Sequence, residues 1–106
     1  RLWGKVKLSV KADGRQAPGG ISELLALPDG SLVVAGTASK INPTSQDGAL
    51  WRVSRTEDGP LNQRLVRTFP GRKPEGLAIS PRAGRLTIAF DAGPSVPSWM
   101  EIPWPR

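Results

Sequence analysis

Glu23-Leu24-Leu25-Ala26-Leu27-Pro28-Asp29-Gly30-Ser31-Leu32-Val33-Val34-Ala35 returns in altered form as Glu75-Gly76-Leu77-Ala78-Ile79-Ser80-Pro81-Arg82-Ala83-Gly84-Arg85-Leu86-Thr87-Ile88-Ala89. Each stretch is an apolar run, a Pro/Gly connection and a second apolar run. Pro presets φ at the head of the turn and Gly accepts a positive φ at its end, so each stretch reverses on itself as a β-hairpin. Aligned on their glutamates, the copies agree at Glu, Leu, Ala, an aliphatic residue, Pro, Gly, Leu, an aliphatic residue and Ala, with two one-residue insertions beside the turn. A Trp-containing segment follows each hairpin: Leu50-Trp51-Arg52-Val53 after the first and Trp99-Met100-Glu101-Ile102 after the second.

Outward from the hairpins the rest of the chain reads the same way. Leu2–Val10 alternates apolar and polar residues at the period of a half-buried strand. Lys11–Gly20, with Asp13-Gly14 and Pro18-Gly19-Gly20, is expected to be a turn and loop, and Thr37–Asp47 an exposed loop. Strands are expected at Ile21–Leu27, Ser31–Gly36, Gly48–Ser54, Asn62–Phe69, Glu75–Ser80, Arg85–Phe90 and Trp99–Trp104. Helical periodicity of useful length is absent, so the fold class is all-β.

The copies lie about 50 residues apart, and a repeat of about 40–50 residues made of four short strands is the signature of a β-propeller blade. On this reading residues 1–20 hold an outer strand of a preceding blade and a loop, residues 21–70 form a first blade, and residues 71–106 form a second, incomplete one. A closed propeller needs at least about four blades, so the remaining blades are expected from another chain or an uncut precursor. Arg1 in place of Met and the Trp104-Pro105-Arg106 end fit a processed piece of something larger. The competing architecture is a self-contained small β-sandwich or barrel, which strands at this spacing also permit.

Several function classes are closed to these residues. The chain has no His, Cys or Tyr, so it holds no Ser-His-Asp triad, thiol nucleophile, zinc site of the usual N/S kind or haem ligand. Phosphate-loop and dinucleotide fingerprints are absent. So is any apolar run long enough to span a membrane as a helix. With 38% hydrophobic and 23% charged residues the composition is globular, and the 12 glycines and 11 prolines fall singly between apolar runs as turns. Fifteen Lys and Arg against nine Asp and Glu give +6, which raises an anion- or nucleic-acid-binding module as one alternative. The basic residues are scattered over separate segments, however, and read better as a solvated surface.

Ile21-Ser22-Glu23-Leu24, Leu32-Val33-Val34-Ala35-Gly36, Gly48-Ala49-Leu50-Trp51-Arg52-Val53, Lys73-Pro74-Glu75-Gly76-Leu77-Ala78 and Ile88-Ala89-Phe90-Asp91 together resemble the last blades of a bacterial propeller family of unknown function. The Pro-Glu-Gly-Leu-Ala element is also similar to blades of esterase-like phytases and lactonase-type propellers. The resemblance covers residues 21–93 and suggests a secreted or periplasmic home. In lactonase-type propellers a Glu directly before Gly in this setting is a metal ligand, which marks Glu75; the first copy has Leu24 in place of that Gly.

Carboxylate chemistry is what the residues themselves leave open. Glu23 and Glu75 sit at matching places in the aligned copies, and Asp91 follows the strand ending in Phe90, so these three are the candidate oxygen ligands for Ca²⁺ or Mg²⁺. The local alternatives are a Glu bonded to its own tight connection or paired with a nearby cation, and an Asp capping a Gly/Pro turn. Trp51 and Trp99 recur with the repeat and are expected in the core. Trp104, between two prolines, is the candidate for an exposed or docking aromatic. No catalytic set emerges. The leading expectation is a non-catalytic binding or assembly portion of a propeller, and the alternative is part of a metal-dependent phytase-like or lactonase-like hydrolase.

Overall fold

The computed structural model describes residues 8–12, 15–38, 47–55, 59–91 and 97–105, with the backbone alone at 9–12, 15–19, 38 and 91. Every regular element among them is a strand: β1 (Ser9–Ala12), β2 (Arg15–Ala26), β3 (Leu32–Ala38), β4 (Gly48–Arg55), β5 (Leu61–Phe69), β6 (Lys73–Ile79), β7 (Arg85–Asp91) and β8 (Ser98–Pro103). Strands β2 to β5 form an antiparallel meander, with β1 paired to the N-terminal part of β2, and β6 to β8 form a second antiparallel sheet. The chain is therefore all-β, in two sheets that do not close on one another.

Two expected boundaries differ. Lys11–Gly20 is not a loop, because Lys11 and Ala12 belong to β1 and Arg15–Gly20 to β2. The two strands pair from Ala12 opposite Arg15 to Ser9 opposite Pro18, so their backbone groups satisfy one another despite the Pro and Gly content. Of the Leu2–Val10 strand only its end lies within the described residues. Of the loop expected at Thr37–Asp47, Thr37 and Ala38 instead extend β3, and residues 39–46 lie outside the described residues.

Both quoted stretches are hairpins, and their details match. Leu27 N donates to Ser31 O at 2.8 Å in the first and Ser80 N to Arg85 O at 3.1 Å in the second. Gly30 and Gly84 close the two turns at φ of 87° and 74°, a region where a Cβ would be strained. Three residues separate the bonded pair in the first turn and four in the second, so the ladders require one insertion where the sequence alignment needs two. Each first strand also carries a bulge, Ser22 between Ile21 and Glu23, and Glu75 between Pro74 and Gly76. Ala35 faces Glu23 in one ladder and Ala89 faces Gly76 in the other. By register Glu23 therefore corresponds to Gly76 and Ser22 to Glu75, so the two glutamates do not occupy matching places.

Strand alternation divides the first sheet into two faces. Val33, Ala35, Leu50 and Phe69 lie on one, which we call the Leu50 face, and Leu32, Val34, Trp51 and Val53 on the other, the Leu32 face. On the Leu32 face Leu8 packs with Val34, Trp51 and Val53, and Trp51 is 0% exposed, while Leu24 and Leu65 toward the flanking strands stay exposed. The Leu50 face packs on Leu86, Ile88, Phe90 and Ile102 of the second sheet. Over β3 and β4 both faces are covered, so Val33 and Val34 are buried side by side and the usual alternation disappears there. The edge-to-face pair Phe69–Phe90, 5.0 Å between centroids, spans the sheets, with the Arg67 and Arg72 guanidinium groups over the two rings. The closest backbone approach is made by β6 against β2 and β3.

Candidate functional site

Of the three candidate carboxylate residues, Glu23 and Glu75 come from the first strands of the two hairpins and Asp91 from the end of the second. The bulge in β2 turns Ser22 Oγ toward the second sheet, where it donates to Pro74 O at 2.8 Å and lies 3.3 Å from Ala35 O. That bond joins β2, β3 and β6 at one point, and Glu23 and Glu75 are each the next residue along from it. Each glutamate has a local contact. Glu23 Oε1 accepts from Leu24 N at 3.0 Å, and Glu75 Oε1 lies 3.2 Å from Lys73 Nζ. Asp91 is the last residue of β7, paired in the ladder with Lys73, so its backbone is beside the same segment. No group of three His, Cys, Asp or Glu residues arranged to hold a metal ion occurs among the described residues. The junction is thus a joint between sheets with acidic residues beside it, and Ser22 is its central polar atom. Nothing in the sequence marked Ser22, because a bulge is a property of the pairing and not of one residue.

The tryptophans are placed differently from expectation. Trp51 is core. Trp99 is 74% exposed: Trp51 pairs with Val34 and Met100 with Ile88, so Met100 corresponds to Trp51 while Trp99 corresponds to Leu50 and lies on the face of the second sheet turned away from the first. A one-residue difference along a strand reverses the face. Trp104 is half-buried rather than exposed. Its Nε1 donates to Arg85 O and its backbone N to Gly84 O, both at 2.8 Å, and its ring packs on the core between the sheets.

A cleft of about 330 Å³ beside Trp104 is lined by Leu27, Asp29, Gly84, Pro103 and Pro105. Its one carboxylate is already engaged. Asp29 accepts from Ser31 Oγ at 2.6 Å, from Ser31 N at 2.8 Å and from Arg52 Nη2 at 3.2 Å. The Ser31 hydroxyl, then the Ser31 amide and Arg52, hold its pKa below the ordinary 3.8. A carboxylate so held is a structural anion and a poor general base.

The second sheet repeats this device with the charges exchanged. Glu101 on β8 accepts from Ser80 Oγ at 2.8 Å, and its other oxygen lies 3.3 Å from Arg85 Nε and 3.8 Å from Arg82 Nη1. The Ser80 hydroxyl, ahead of Arg82 and Arg85, lowers the Glu101 pKa from its ordinary 4.5. In each hairpin a turn residue, Asp29 or Arg82, is tied to the third strand, at Arg52 or Glu101.

No protein-family model, curated protein or solved structure matches the chain. No helix of the described residues is long and apolar enough to cross a membrane.

Proposed function

We propose that this chain is a non-catalytic binding or assembly portion of a β-propeller, with β2–β5 as one blade and β6–β8 as strands of the next. The observation that carries the reading is that unlike faces meet between the sheets. Counted from the matched turns and bulges, the Leu32 face corresponds to the Leu86 face and the Leu50 face to the Trp99 face, yet the Leu50 face packs on the Leu86 face. A sandwich closed by an internal two-fold joins like faces and leaves two like faces outside. Unlike faces in contact repeat head to tail and leave one face at each end, as stacked repeats do. The approach of β6 to β2 and β3 accords with blades that lie nearest at their first strands. The absence of His, Cys and Tyr and the engaged carboxylates favour assembly over catalysis.

Sedimentation and electron microscopy of the natural material test this. The expected result is a particle larger than the 11.4 kDa of the chain, with sheets arranged about an axis. A cooperatively folded monomer of 11.4 kDa in that material would exclude the reading.

A further inference from the structure

The second sheet has one large face on which none of the described residues packs. Ala78, Thr87, Ala89 and Trp99 share it by register, Ala78 and Ala89 are exposed, and Trp99 stands out of it at 74% exposure. An exposed Trp amid small residues on a strand surface is what the centre of a protein interface looks like, since Trp contributes the largest apolar area per ordered side chain.

The rest of the molecule indicates what that face receives. Position for position the face corresponds to the Leu50 face: Ala78 to Leu25, Thr87 to Val33, Ala89 to Ala35 and Trp99 to Leu50. Leu50 is fully buried beneath Leu86, Ile88 and Ile102. Trp is larger than Leu, while Ala and Thr are smaller than Leu and Val, so one tall residue over a low floor replaces an even surface of similar bulk. The rim matches too, with the Glu101–Arg82 pair standing where Asp29–Arg52 stands beside the filled interface. Ion pairs at that place leave the apolar centre free to dock.

We infer that the Trp99 face is the docking surface for a further antiparallel β-sheet presenting an aliphatic face built like Leu86, Ile88, Met100 and Ile102. The inference rests on the propeller reading and names its open face and the chemistry of the next blade. A second copy would have to present its corresponding Leu32 face, where Leu8 is already packed with Val34, Trp51 and Val53 while Leu24 and Leu65 stay exposed, and that occupant is the competing outcome of the test.

The test extends the full chain through a flexible linker with an added copy of residues 71–105, carrying Phe at the position of Trp99, and follows hydroxyl-radical labelling of Trp99 by mass spectrometry. Docking is expected to lower Trp99 labelling several-fold and to raise the melting midpoint, with the rise in midpoint lost in Trp99→Lys. A parallel extended chain carries the filled-interface residues on the open face: Ala78→Leu, Thr87→Val and Trp99→Leu. Here hydrogen exchange reports protection of the added sheet. If the substituted face takes the added sheet and the native one does not, the docking inference is overturned while the propeller reading stands. If neither takes it, head-to-tail stacking fails and both fall. Trp99 protection that grows with concentration in the unextended chain would assign the face to a second copy and overturn the inference.

Discussion

Gly48 shows how little room single residues have at the seam between the sheets. A Cβ there would meet the Arg72 carbonyl oxygen and the Pro74 ring, neither of which can swing aside. Gly48→Ala should therefore cost about 1–3 kcal/mol, as overpacking does, read as a lower urea midpoint with an unchanged slope. The tryptophans divide by environment rather than by type. Trp51→Ala should cost about 3–5 kcal/mol because it empties a fully packed site. Trp99→Ser should stay within about 0.5 kcal/mol of zero in the isolated chain, as exposed substitutions do. An equal loss from both in urea unfolding would contradict the face assignment. Glu75 and Glu23 have local partners of their own, so Ca²⁺ titration should leave the melting midpoint unmoved in both the chain and Glu75→Ala.

At the scale of elements, each hairpin turn is held to the third strand of its sheet by one carboxylate. Asp29 and Glu101 both have folded pKa values below their ordinary 3.8 and 4.5. The sign follows from linkage: the unfolded chain binds these protons at higher pH than the folded one. Their stabilisation is complete above the ordinary values and is lost as pH falls through the lowered folded ones. Melting midpoints should therefore drop as the pH is taken below about 4, and the drop should be shallower in Asp29→Asn/Glu101→Gln. The hairpins themselves were legible in the sequence, because Pro and Gly at turn positions act locally. Their exact correspondence was not: the aligned glutamates suggested one register, and a bulge in each first strand set another.

For the whole molecule, the apolar surface between the sheets makes them interdependent. Leu86 lies at the centre of that layer and is fully buried. Leu86→Asp would place a charge there without a partner, so amide hydrogen exchange should accelerate in β2–β5 as well as in β6–β8. Acceleration confined to β6–β8 would mean that the first sheet stands alone. The two outer faces of the pair of sheets also differ: Leu8 packs with Trp51 on one, and Trp99 stands out of the other.

The sequence by itself determined the all-β class, the two hairpins and the strand that follows each, since turn chemistry and apolar runs depend on neighbours a few residues away. It also ruled out His-, Cys- and Tyr-based chemistry through composition alone. Tertiary structure decided which face each residue occupies. Leu50 and Trp99 hold corresponding places, and one is buried and the other exposed because one sheet has a neighbour on that side and the other has none among the described residues. Burial depends on what comes to lie across a face, and no local pattern encodes that.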